Sequence, residues 1–157
     1  MSKSVIKKPK VFAIASSGGH WVQLLRLQSA FKNCHVTYVT VHEESKQDIA
    51  DKNAKFYKVC DGNRDTKFTL IFMAIQILFL LVRSRPDVVI STGAAQGYFA
   101  CRFAKLVGAK SLFLDSVANA SEISLSAKLA RSHAHKVFSQ WPEVAKKFGI
   151  EYHGKVL

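Results

Sequence analysis

The sequence predicts an α/β fold built on a parallel, Rossmann-like sheet. Three observations predict it. Short apolar runs alternate with segments of helical period along the chain; two of these runs end in small-residue loops that lead into helices, "SSGGH" at 16–20 and "STGAAQG" at 91–97; and a third run ends in Asp115 and Ser116. In a parallel sheet such loops gather at the carboxyl edge, where open α/β folds bind ligands.

Residues 11–15 read as the first strand. The break into Ser16, Ser17, Gly18 and Gly19 lets the chain turn tightly and brings peptide N–H groups close to a ligand, and the N-terminus of the next helix adds partial positive charge. An anion cradle is expected there, with His20 placed to touch what it holds. Residues 21–31 carry Val22, Leu24, Leu25 and Leu27 with Gln23, Arg26 and Gln28 between them, a helical period. Residues 35–41 alternate as a second strand, 43–53 are polar and helical, 55–59 make a short strand, and "DGNRDTK" at 61–67 is a loop.

Residues 68–82, "FTLIFMAIQILFLLV", contain only Thr69 and Gln76 as polar positions and are fenced by Lys67, Arg83 and Arg85. As a helix of about 22 Å this segment is shorter than the roughly 30 Å hydrocarbon core. Two readings stand: a fully buried crossover helix, or a helix that packs one side on the sheet and offers the other, with Phe68, Phe72 and Phe79, to lipid. Residues 87–90 then form a strand that runs into the loop at 91–97, which contains Gly93. Residues 111–114 are the next strand, and 121–134 a helix with Ser121 or Ser124 as its cap and Lys128 and Arg131 on it. Residues 135–141 return as a strand, Pro142 starts a last helix to Phe148, and 151–157 run off extended.

At 157 residues the chain is expected to hold one domain, 11–157, behind a basic tail at 1–10. With 23 Lys and Arg against 11 Asp and Glu, its net charge of +12 implies an acidic partner. Cys34, Cys60 and Cys101 are odd in number and lack CxxC spacing, so neither a disulfide framework nor a zinc site is predicted. The start "MSKSVIKKPK" has no signal-peptide pattern.

Each candidate has a plainer alternative. Gly-rich turns between strand and helix are common, and "SSGGH" matches neither GxGxxG nor the Walker pattern. His20 alone reads as a surface or capping histidine, and Asp115 as a helix cap. His133 and His135, two apart on a predicted helix, point in different directions and make a poor metal pair. Trp141 reads as core.

The order "SSGGHW", "DSVANASEISLSAKLA", "FSQWPE" resembles the membrane-associated, acceptor-binding subunit of the two-subunit N-acetylglucosaminyltransferase that builds chitobiosyl lipid, with its bacterial relatives in capsule and exopolysaccharide assembly. A more distant relative is the single-chain transferase that makes lipid II, whose first Gly-rich loop also ends in Gly-Gly-His. The resemblance implies the N-terminal half of a GT-B glycosyltransferase. It also implies a partner subunit that supplies most of the donor site, a UDP-sugar donor, and a polyprenyl-diphosphate-linked acceptor. By position in the motifs, Ser17, Gly18, Gly19 and His20 would face a diphosphate, with His20 as the catalytic base; imidazole is the side chain that titrates near neutrality. Gly93 lies in the second loop, while Asp115, Ser116, Glu122 and Lys128 fall in the third block and would line the acceptor side or the subunit seam. Many members carry Glu-Ser where Asp115 and Ser116 stand, and Gly-Lys at Ala127 and Lys128. No cofactor or metal is implied, because helix dipoles and basic groups stabilise the leaving UDP. The expected place is cytoplasmic, peripheral on the anionic inner face of the cell membrane.

Two other classes compete with this one. A stand-alone Rossmann-like nucleotide-binding enzyme is weakened by the missing GxGxxG. A nucleic-acid module rests on charge alone, and the basic residues are scattered instead of interleaved with aromatics, so no nucleic-acid partner is expected.

Overall fold

The structure, a computed structural model, describes residues 7–62 and 66–156. Among the described residues the strands are β1 (Lys10–Ile14), β2 (His35–Thr40), β3 (Lys55–Lys58), β4 (Val88–Ser91), β5 (Lys110–Leu114), β6 (Lys136–Ser139) and β7 (Glu151–Tyr152). They form one parallel sheet in the order β3-β2-β1-β4-β5-β6-β7. The α-helices are α1 (Gly19–Arg26), α2 (Lys67–Ser84), α3 (Ala94–Ala104), α4 (Leu125–Ala130) and α5 (Pro142–Phe148). The chain winds outward from β1 to β3, crosses back through α2, and winds the other way from β4. The switch point therefore lies between β1 and β4, and the carboxyl ends of these two strands are the place where open α/β sheets bind ligands.

Central strands are apolar on both faces because helices cover both. In β1, Phe12 and Ile14 pack with Met73, Ile77 and Leu81 of α2 and Ala100 and Ala104 of α3. Val11 and Ala13 turn the other way, against Trp21 and Leu24 of α1 and Tyr38 of β2. Beyond β4, Phe113 and Val137 pack with Ala127, Ala130 and Val144.

The alternation of elements matches the expected α/β class, and the differences have local causes. The helix expected over 21–31 ends at Arg26, followed by a 3-10 turn at Gln28–Phe31, and the helix expected over 43–53 is a 3-10 turn at Glu43–Asp48. The helix expected over 121–134 shrinks to α4, because the Ser124 hydroxyl accepts from Ala127 N at 3.0 Å and so fixes the start there. The proposed tail at 1–10 falls largely outside the described residues, and so does the middle of the loop at 61–67.

Helix α2 is not a fully buried crossover. Met73, Ile77, Leu80 and Leu81 are buried, whereas Phe68, Ile71, Phe72, Ile75, Phe79 and Val82 form an exposed apolar stripe on its outer face, with Phe68 85% exposed. Its 18 residues have a mean hydropathy of 1.8, long and apolar enough to cross a membrane by length and composition. One face is nevertheless committed to the sheet, so the helix offers a flank and not a span.

Candidate functional site

Local backbone geometry builds the edge of the sheet at the switch point. After β1 the chain turns at Gly18, whose φ of 64° lies in the left-handed region that favours glycine, and α1 begins at once with no side-chain cap. After β4 it turns at Gly93 with φ 134°, followed by Ala94 with φ 64°, and α3 likewise begins without a side-chain cap. A non-glycine residue in this region stores strain of about 1–3 kcal/mol. Two helix N-termini without side-chain caps thus follow adjacent strands, and both carry the partial positive charge that suits an anion.

His20 sits between them. Its Nδ1 lies 2.8 Å from the Thr92 carbonyl oxygen, an acceptor only, so Nδ1 donates and the neutral ring presents Nε2 as its acceptor. The Thr92 hydroxyl donates in turn to the His20 carbonyl at 2.6 Å, so the two loops hold each other reciprocally. The Cε1–Nδ1 edge of the ring lies against Gly93, where a Cβ would overlap both atoms. Nε2 has no hydrogen-bond partner among the described residues, which leaves it open to a ligand.

A buried amide ties the third block to this pair of loops. Gln23 Nε2 donates to the Gly19 carbonyl at 3.1 Å and to Ser116 Oγ at 3.2 Å. Its Oε1 accepts from Val117 N at 3.1 Å and from Gln140 Nε2 at 2.5 Å. Gln140 also donates to the Asp115 carbonyl at 2.9 Å and accepts from Val156 N at 2.8 Å. Buried polar networks of this kind specify one arrangement, because any member left unpaired costs about 1–3 kcal/mol.

The structure therefore brings Ser17, Gly18, Gly19, His20, Gly93 and Ser116 to one edge of the sheet. Asp115 reaches the same edge, but its carboxylate is spent on its own loop: Oδ1 accepts from Asn119 Nδ2 at 2.9 Å and Oδ2 from Ser124 N at 2.8 Å. At 1% exposure it shapes the third loop from inside. Glu122 and Lys128 are exposed and pair with each other at 3.4 Å, with no hydrogen bond to the Ser17–His20 turn among the described residues. Trp141 is partly buried and donates its indole N–H to the Val117 carbonyl at 2.7 Å, while the Lys155 ammonium sits 3.5 Å from its ring centroid. No group of three or more His, Cys, Asp or Glu that could hold a metal occurs among the described residues. Thr92 and Gln23 were not singled out in the sequence. A Thr before a glycine and a Gln between a valine and a leucine carry no local signal of partners 72 and 93 positions away.

Comparison with known proteins bears on the family and the fold. The UDP-N-acetylglucosamine transferase subunit ALG14 of Yarrowia lipolytica is 24% identical over 173 residues, covering 93% of this chain and 80% of that protein. Among solved structures, Acinetobacter baumannii MurG matches with a TM-score of 0.69 at 17% identity over 87% of this chain and 43% of its own. UDP-N-acetylglucosamine 2-epimerase from Rickettsia bellii matches at 0.72 and 13% identity, over 92% of this chain and 43% of its own. At these identities the likeness to the solved structures is one of fold, and the chain spans less than half their length. The expected likeness to one half of a GT-B protein is met at that level. The family model described as "Oligosaccharide biosynthesis protein Alg14 like" matches residues 11–156, and the chain belongs to that family.

Proposed function

We propose that this chain is the acceptor-binding, membrane-recruited subunit of a heteromeric glycosyltransferase. A partner subunit supplies most of the donor site, and a sugar passes from a UDP-sugar to a polyprenyl-diphosphate-linked saccharide of polysaccharide assembly at the cytoplasmic face of the membrane. The observation that carries this reading is the switch-point edge of the sheet, where His20 is tied to the Thr92 carbonyl beside two helix N-termini without side-chain caps. The first-turn peptide N–H groups of α1 and α3 suit the oxygens of a diphosphate, with the Ser17 and Ser116 hydroxyls at the same edge.

In the reaction, His20 Nε2 takes the proton of the acceptor hydroxyl as its oxygen attacks the anomeric carbon. The bond from that carbon to the diphosphate breaks, and UDP leaves with the electron pair. The Thr92 carbonyl keeps the ring in the tautomer that can accept this proton. Glu122 and Lys128, paired on the outer side of the third block, belong in this reading to the acceptor side or the subunit seam. The apolar stripe of α2 provides the membrane seat, with Lys67 and Arg83 at its ends.

Calorimetric titration of a UDP-sugar into this chain alone tests the division of labour. No measurable heat up to millimolar ligand is expected, because in this reading the partner subunit supplies most of the donor site. Micromolar binding would instead favour a complete nucleotide site within these 157 residues.

A further inference from the structure

At the opposite end of the strands from the switch-point edge, the starts of β1, β2 and β3 and the last turn of α2 surround a concavity of about 990 Å³. Lys8, Lys10, Lys32, Lys55 and Arg83 line it, all exposed, and none of them forms an ion pair among the described residues. The single acid in the lining, Asp51, already accepts from Asn53 N at 2.9 Å. Five cations brought together in a recess repel one another unless an anion joins them, and a concave wall of low dielectric focuses their positive potential. The concavity also has a fixed relation to the apolar stripe. Arg83 follows Phe79 by four positions on α2, so the basic recess opens beside the end of the exposed apolar face. An amphiphile with a phosphate at one end and hydrocarbon at the other matches that pairing, whereas a soluble phosphate would leave the stripe uncovered.

We propose that this recess holds the phosphate-bearing headgroup of an anionic membrane lipid and so fixes how α2 lies on the bilayer. The inference rests on the membrane seat assigned to α2 above. With the C-terminal turn of α2 anchored, the N-terminal end of the helix, which follows β3 at the carboxyl edge of the sheet, brings the switch-point edge to the same membrane surface.

Co-sedimentation of the full chain with vesicles tests it, using phosphatidylcholine alone and phosphatidylcholine with one third phosphatidylglycerol at fixed ionic strength. The triple variant Lys10→Gln, Lys32→Gln, Lys55→Gln is compared with a charge-matched control, Arg131→Gln, Lys146→Gln, Lys147→Gln; all six positions are exposed, so both variants keep the fold. A basic side chain held near an anionic surface contributes about fivefold in partitioning, so the recess variant should lose roughly 100-fold on anionic vesicles. The control should stay within about threefold. Equal losses in the two variants would reduce the effect to diffuse charge and overturn the inference. Intact binding by the recess variant would overturn the inference alone, whereas absence of vesicle binding by the parent chain would remove the α2 seat as well. Inorganic phosphate is the remaining probe: saturable amide shifts at Lys10, Lys32 and Lys55 without vesicle binding would assign the recess to a soluble anion and refute the headgroup.

Discussion

Gly93→Ala should destabilise the fold by about 2–4 kcal/mol, and part of that loss should disappear when His20 is alanine as well. Two independent costs act at this position. The φ of 134° lies where side chains rarely go, at about 1–3 kcal/mol. The added Cβ also overlaps the imidazole, which must swing away and surrender its 2.8 Å bond to the Thr92 carbonyl, a further ~0.5–1.5 kcal/mol. For a chain of this size each kcal/mol moves Tm by about 2–4 °C, so a fall of roughly 5–15 °C is expected. Urea unfolding of the parent, both single variants and the double variant closes a thermodynamic cycle, in which the overlap term should appear as a coupling of about 0.5–1.5 kcal/mol. Histidine nitrogen shifts give an independent readout: the parent should show the Nδ1–H tautomer at His20, and Gly93→Ala should lose it. Coupling below about 0.3 kcal/mol together with an unchanged tautomer would refute the contact of His20 with Gly93 and Thr92.

Gln23→Ala removes four hydrogen bonds from a buried hub and leaves Ser116, Val117 N and Gln140 short of partners. A loss of about 2–4 kcal/mol by denaturant unfolding is expected, with Gln23→Glu recovering only part of it because Glu cannot donate as the amide does. The two faces of α2 should separate cleanly. Ile77→Ala should cost about 2–5 kcal/mol, whereas Phe79→Ser, at a 63% exposed position, should stay within about 0.5 kcal/mol yet weaken partitioning onto vesicles. Burial pushes the Cys101 thiol up to about 12, against a smaller opposing effect of its hydrogen bond to Ser111. The folded state therefore holds this proton more tightly than the unfolded chain does. Its contribution is complete below pH about 9 and is lost as pH rises from 9 to 12. Unfolding measured at pH 8 and 10.5 should show that fall, and Cys101→Ala should flatten it.

Much of the fold was legible because strand and helix periods alternate and because glycines mark the turns that follow β1 and β4. Element boundaries were less so. The choice between Ser121 and Ser124 as the cap is made by two contacts, Ala127 N to the Ser124 hydroxyl and Ser124 N to the Asp115 carboxylate, the second reaching nine positions back to the end of β5. The tight turn at Gly18 and the place of His20 on the helix that follows it were readable from "SSGGH", but the bond from His20 to Thr92 was not, since it needs β1 and β4 to be neighbours although 73 residues separate Ile14 from Val88 in sequence. Asp115 looked like a ligand residue from its place at a strand end. Its carboxylate instead closes the loop that follows. The basic recess is the clearest case of information carried by topology: Lys10 and Lys55 start β1 and β3, Lys8 and Lys32 precede β1 and β2, and Arg83 ends α2. Scattered in sequence, they converge because a parallel sheet gathers the starts of its strands.

The central claim is that this chain is one half of a split transferase. Its most direct test is transfer of a radiolabelled sugar from UDP-sugar to membrane lipid extract, with this chain alone, the donor-binding subunit alone, and the two together. Label in the lipid fraction only when both are present is the predicted result. Transfer by this chain alone would contradict it, because the site at the carboxyl ends of β1 and β4 would then be complete without a second half.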